Sequence, residues 1–310
     1  MSSPRISGLI VVDKPSGPTS HDVVERVRRI LGERAGHAGT LDPQATGVLL
    51  LCVGSATRMA RFLQGHDKVY EGVVKLGWAT DTYDAEGEPV AEPVSPPSLQ
   101  AADVEEVLRS FVGTQQQIPP VYSAKKVRGQ PSYRRARRGE KIEPKPVTIH
   151  VHAADLIELS ADEVHVRIHC GAGTYVRTLA HDLGSALGCP AHLAALRRTH
   201  SGSFGLDTAV SWAEIEELSP DELRARVVPV VDMVPQWPMA VVSAEGAEAV
   251  ANGGVVEAGW IVERRPGVAR AVAAASNDES WVRVVDDGGL MIAAGEMVPG
   301  GLVQPRIVLR

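Results

Sequence analysis

Residues 36–47 read GHAGTLDPQATG, which places Asp42 between glycines, beside Pro43 and just ahead of the apolar run VLLLCVG. A carboxylate in that setting has two readings. It can close an Asx-type turn by accepting from nearby amides. Alternatively, Pro43 holds Asp42 out of the helical region, and Gly39 and Gly47 let the chain approach a ligand closely, so the carboxylate is presented for reaction. Taken alone, the motif favours the turn, and His37 is equally an ordinary loop histidine or a second functional group.

Other segments supply groups that a turn aspartate would not need. Tyr70 lies in DKVYEGVVKLG. If Val69 and Val73 face the core, alternation puts Tyr70 on the opposite, open face of a sheet, where an aromatic ring can stack on a base. Arg177, in GAGTYVRTLAHDLG, falls near the start of a helix. The helix dipole disfavours a cation there, so the charge is expected to be aimed at a specific carboxylate or phosphate.

The fourth segment begins at IPPVYSAKK, with Tyr122, and continues as a basic run. Lys125, Lys126, Arg128, Arg134, Arg135, Arg137, Arg138, Lys141 and Lys145 face only Glu140 and Glu143 across residues 125–145, a local excess of +7 in a protein of net charge −6. A patch of that sign can bind a polyanion although the total charge repels one. Tyr122 and Tyr133 bracket much of it, which suits single strands or loops better than a plain solvated face.

The elements that must position these groups are legible in part. GLIVVDK (8–14) reads as a strand ending at Pro15 and Gly17. TSHDVVERVRRILG reads as a helix capped by Thr19 or Ser20 and stopped by Gly32. VLLLCVG (48–54) reads as a buried strand, and 55–65 as a helix with Ser55 as candidate cap. A strand over 68–77 precedes a turn-rich loop and a Pro-rich connection to a helix near 101–111. Strands are expected at 147–159 and 163–170, and a helix from about 174 to 187, with helical character persisting to Arg198 and returning at 211–226. From about 238 the short Val- and Gly-rich runs read as a small β-domain. The whole is an α+β body with a β appendage.

With 310 residues, 44% of them hydrophobic and 23% charged, the chain is long enough for two domains around a sizeable core. Cys52, Cys170 and Cys189 form no C-x-x-C pair. This argues against both a disulfide framework and a zinc site, and fits a reducing cytosol. The N-terminal apolar stretch is too short for a signal peptide, and no run approaches a membrane span. A classical metal site, a P-loop and a G-x-S-x-G elbow are not read in the sequence, which narrows the field.

Five segments in order, VDKPSGPTSHDVV, GHAGTLDPQATGVLLLCVGSATR, KVYEGVVKLGWATDTYDAEG, PPVYSAKKVRGQPSYRRARRGE, and GTYVRTLAHDLG with LRRTHSGSF, resemble the TruB family of tRNA pseudouridine synthases over roughly residues 8–206. The resemblance implies a pseudouridine synthase core on a mixed, largely antiparallel sheet flanked by helices, within residues 1–237. It implies a basic RNA-clasping insertion at about 122–146 and a small PUA-like domain over 238–310. It implies conversion of the T-loop uridine of tRNA to pseudouridine without cofactor or metal, by a monomer needing neither guide RNA nor an obligate protein partner. A guide-dependent relative would be expected to carry long N-terminal and C-terminal extensions, which makes the guide-independent reading the expectation here.

On this resemblance Asp42 is the catalytic aspartate and Arg177 its basic partner. Tyr70 stacks on the target base, its hydroxyl a candidate for handling the C5 proton. His37 assists flipping and Leu196 lines the pocket. Lys14 shapes the floor of the cleft, and the basic run contacts the T-arm phosphates. The first step, attack on C1′ or removal of the 2′-hydrogen, stays open.

Overall fold

The computed structural model describes residues 6–120, 144–268 and 280–309, together with the backbone pairs 126–127 and 130–131. Tyr122, Lys125, Arg128, Arg134, Arg135, Arg137 and Arg138 lie outside the described residues, as does the side chain of Lys126.

The chain runs β1 (Gly8–Lys14), α1 (Ser20–Leu31), β2 (Ala35–His37), β3 (Thr46–Val53), α2 (Ala60–Gln64), β4 (Lys68–Leu76), α3 (Ala101–Ser110), β5 (Gly113–Gln117), β6 (Lys126–Val127) and β7 (Gln130–Pro131). It continues through β8 (Val147–Leu159), β9 (Glu163–Cys170), α4 (Val176–Ala186), β10 (Ala191–Ser201), β11 (Phe204–Gly205) and β12 (Val210–Ser211). Next come α5 (Trp212–Glu217), α6 (Pro220–Ala225) and β13 (Val228–Pro229). The last stretch holds β14 (Met239–Val242), α7 (Ala244–Ala251), β15 (Ile261–Arg265), β16 (Trp281–Val285), β17 (Met291–Val298) and β18 (Leu302–Val308).

Among the described residues the main sheet has the order β12-β1-β3-β10-β4-β9-β8-β5, with β2, β11 and β13 pairing at its side. Of the strand pairs described within that sheet, only β1–β12 and β3–β10 are parallel. This is the mixed, largely antiparallel α+β core that the resemblance implies. A second sheet, β15-β14-β16-β17-β18, follows.

Two helical clusters cover parts of the main sheet. Val23, Val24, Val27 and Leu31 of α1 pack with Ile10, Val12, Leu49 and Leu51, joined by Ile215 of α5 and Leu223 of α6. Val104 and Leu108 of α3 and Val176, Leu179 and Leu183 of α4 pack with Val74, Leu76, Val164, Val166 and Ile168. Tyr70 and Leu196 contribute to both clusters and so mark the seam between them. A third cluster joins Leu9, Val11, Val48 and Leu50 to Trp237, Trp281, Val285 and Met291, so the second sheet shares core with the first.

Helix α1 begins at a capping box between Thr19 and Asp22 and ends at Gly32, whose φ of 69° suits glycine. Three expectations are corrected. Residues 191–198 are not helical. They belong to β10, paired with β4 from Ala191–Leu76 to Ser201–Lys68. Gly188 and Pro190 had already ended α4, and bonding to neighbours on both edges overrides the helix propensity of Ala, Leu and Arg. Ser55 caps no helix; residues 54–59 form a 3₁₀ turn without a side-chain cap, and Ser55 bonds Ser7 instead. In β4 the core-facing residues are Val74 and Leu76, while Val69 and Val73 are only partly buried. Tyr70 therefore shares the packed face rather than an open one.

Candidate active site

A cavity of about 250 Å³ opens in the seam between the two helical clusters, lined by Asp42, Lys68, Tyr70, Arg177, Leu196 and Arg198 among others. Three elements meet there: the loop between β2 and β3, the β4–β10 strand pair, and the start of α4.

The Asp42 loop is held through its main chain. The Lys14 ammonium donates to the carbonyls of Pro15, Pro43 and Ala45 at 2.8–2.9 Å. Ser20 Oγ donates to Leu41 O at 2.8 Å and accepts from Leu41 N at 2.9 Å. Arg198 Nη2 donates to Gly39 O at 3.0 Å, and its Nε donates to Val48 O. Among the described residues the Asp42 carboxylate accepts no hydrogen bond from its own loop; an Arg177 nitrogen lies 3.3 Å from it. Its side chain is 45% exposed, facing the cavity. The local geometry is thus not that of an Asx turn.

The glycines of this loop do different things. Gly47 has a φ of 100°, and a Cβ there would lie 2.1 Å from Arg198 O, so this glycine lets β3 and β10 pair closely. Gly39 lines the cavity with a φ of 103°, the left-handed region that favours glycine.

Arg177 occupies the second position of α4 and is almost buried. Two carboxylates offset its unfavourable place in the helix dipole. Besides Asp42, Asp84 Oδ2 accepts from Nη1 at 2.8 Å. Asp84 also accepts from Thr82 Oγ1 at 2.6 Å and from the Glu86 amide at 3.0 Å. Preceding it, Tyr83 adopts a φ of 65°, rare for a tyrosine, and stacks on His181 with ring centroids 4.2 Å apart. Asp84 sits in a segment, DTYDAEG, whose residue types are those of an ordinary turn and give no sign of this role.

Burial pushes the Tyr70 hydroxyl above its ordinary pKa, with the Arg198 guanidinium opposing that shift. The phenol is therefore firmly protonated at neutral pH. Lys68 also lines the cavity and was not anticipated. Its ammonium donates to Gln64 O and His66 O, and burial pushes it down to about 8. Lys14 is likewise pushed down to about 8 by burial, partly offset by Asp42 and Glu86. It is fully buried with its donors spent on carbonyls, the geometry of a floor rather than of an RNA contact. His37 ends β2, two residues before Gly39, outside the cavity lining. Burial, and then Arg198, depress its pKa. Leu196 lines the cavity beside Tyr70.

What this arrangement can do is hold a carboxylate beside a cation in a cavity of about 250 Å³ that Tyr70 and Leu196 line in part. Residues 28–176 match the family model for the N-terminal domain of TruB family pseudouridylate synthases, and residues 177–234 match that for the tRNA pseudouridylate synthase B C-terminal domain. The tRNA pseudouridine synthase B of Solibacter usitatus is 42% identical over 98% of this chain and 100% of its own length. That of Stutzerimonas stutzeri is 39% identical over 98% and 96%. Among solved structures, a Cbf5–Nop10–Gar1 complex aligns with a TM-score of 0.71 at 25% identity, covering 98% of this chain and 85% of that one. The chain belongs to the TruB family of pseudouridylate synthases.

Proposed function

We propose that this protein isomerises the T-loop uridine of tRNA to pseudouridine, with Asp42 as the group that starts the reaction. Family membership and full-length likeness to tRNA pseudouridine synthases B support the activity. The observation that carries the site reading is Asp42, free of its own loop and paired with Arg177 at the mouth of the cavity that holds Tyr70.

The isomerisation breaks the bond from ribose C1′ to uracil N1, turns the base, and rejoins it through C5. A carboxylate serves either as nucleophile at C1′ or as base toward the 2′-hydrogen, and both routes need it ionised. The Arg177 guanidinium stands 3.3 Å from the Asp42 carboxylate, close enough to pair with it. C1′ and C5 are out of reach while the uridine stays in the folded T-loop, so it must be flipped into the cavity. Tyr70 and Leu196 then offer the apolar face that replaces lost stacking, and the protonated phenol of Tyr70 stands near the base for proton handling at C5. Lys14 fixes the Asp42 loop from below.

His37 assists flipping from the cavity's edge, and the basic run at residues 125–145 clasps the T-arm through its phosphates. The second sheet serves as a PUA-like RNA-binding domain, and the protein acts in the cytoplasm as a monomer without guide RNA. Among the described residues no helix is long and apolar enough to cross a membrane.

The test is incubation with unmodified tRNA followed by carbodiimide mapping of pseudouridine. Modification confined to the T-loop, and lost in Asp42→Ala, is the expected result. Substantial turnover by Asp42→Ala would reject the role given to that residue.

A further inference from the structure

Three residues from separate segments converge: Asp67 in the turn before β4, His152 on β8 and His169 on β9. One ligand atom from each lies within 4.8 Å of the others. The His152 and His169 rings have centroids 4.6 Å apart. Asp67 Oδ1 is 3.3 Å from His152 Nε2. The angle there makes no hydrogen bond, and Nε2 is buried without a hydrogen-bond partner among the described residues. A buried ring nitrogen in that state calls for an explanation.

The backbone supports the convergence. The β8–β9 register passes from Val151–Cys170 to Ala153–His169, which leaves His152 as the extra residue of a bulge. Bulges re-aim a side chain locally. Asp67 is pinned by the Gly202 amide, which donates to its carbonyl at 2.8 Å.

We propose that Asp67, His152 and His169 bind a divalent transition-metal cation. Two imidazoles and one carboxylate suit zinc or cobalt, whereas calcium and magnesium select oxygen ligands. Tetrahedral zinc, with bonds of about 2.0–2.2 Å, spaces its ligand atoms about 3.4 Å apart. The Asp67–His152 pair already stands at that spacing, and small side-chain rotations bring in His169. Water completes the fourth position. All three residues are only partly buried, so an ion can enter.

The position gives the ion a consequence. Asp67 immediately precedes Lys68, and His169 lies two residues before Gly171; both Lys68 and Gly171 line the reaction cavity. A bound cation staples those two wall segments together at their base.

The experiment uses untagged full-length protein, titrated with Co²⁺ by absorption and with Zn²⁺ by calorimetry, with thermal melts at each zinc concentration. The expected result is one equivalent bound, tetrahedral cobalt d–d bands without a sulfur-to-cobalt band, and a melting temperature that rises with zinc. His152→Ala with His169→Ala, and separately Asp67→Asn, should each weaken binding at least about tenfold. Asp67→Asn keeps the site's shape and serves if the double variant fails to fold. Binding well below one equivalent, equal binding by the variants, or a thiolate band implicating Cys170 would each overturn the proposal. None of these readouts involves turnover, so they stand apart from the assignment of Asp42.

Discussion

The two loops whose carboxylates share Arg177 differ in what they ask of the carboxylate. The Asp42 loop is tied down at the carbonyls of residues 39, 41, 43 and 45, and its carboxylate is left out of that scaffolding. The Asp84 loop is also held at its main chain, through the Asp84 and Tyr83 carbonyls, but adds its carboxylate to the scaffolding, spending it on Thr82, on the Glu86 amide and on Arg177 at 2.8 Å. Side-chain exposure follows: 45% for Asp42 against 13% for Asp84. Scaffolding through main-chain atoms leaves an acid available, whereas scaffolding through the acid itself turns it into structure. Arg177 is thus anchored by the second loop and offered to the first.

The sharpest way to separate the loops is Asp42→Ala. Pseudouridine formation should fall by at least about 10³-fold while the melting temperature stays close to wild type, because nothing in the loop hangs on that carboxylate. A large loss of stability would show that the two acids are alike after all. Asp84→Asn should do the opposite in kind. It breaks a largely buried ion pair, costing about 3 kcal/mol of stability, and releases Arg177, with turnover down by about 10²-fold. Urea melts and single-turnover assays read the two effects separately.

Lys14→Met attacks the clamp under Asp42. Turnover should fall by about tenfold as the loop loses its two bonds at Pro43 and Ala45, with tRNA binding retained in a filter assay. The same variant carries a pH signature. Burial lowers the Lys14 pKa from 10.5 to about 8, so between those values the unfolded chain holds a proton that the folded protein has released. Wild type should therefore gain stability relative to Lys14→Met as pH rises from about 8 to 10. Lys68, pushed down similarly, is present in both proteins and cancels. A flat difference across that range would place the ammonium in water. The smallest effect is expected from Ser20→Ala, which removes both bonds to Leu41 and should cost about 1–2 kcal/mol in denaturant melts.

The sequence disclosed the site unevenly. Helix α1, strands β1, β3, β8 and β9 and the start of α4 follow from periodicity and caps, because their local preferences agree with their tertiary surroundings. Strand β10 does not, since its Ala, Leu and Arg residues prefer a helix and only pairing to β4 and β3 holds them extended. Missing β10 also hid Arg198, whose guanidinium reaches Gly39 and Val48 from that strand. Asp42, Tyr70 and Arg177 were legible as a set through the resemblance, but the face of Tyr70 was misjudged because Val69 and Val73 look like core residues. Asp84 carries no local signal distinguishing it from a turn aspartate. Its partner is 93 residues away in the chain, and only folding brings the two together.

The shared core beneath the second sheet has a further consequence. Phe62 from α2 meets Trp237 and Trp281 edge-on, each with centroids 4.7 Å apart, and Arg58 reaches the Val308 carbonyl of β18. A sheet seated this way is no tethered appendage. If both sheets grip one RNA, they act as the two jaws of a fixed-span gauge. A substrate is then measured by the distance between its grips as well as by the uridine it presents, and one that meets a single jaw forfeits the gain of binding at two points.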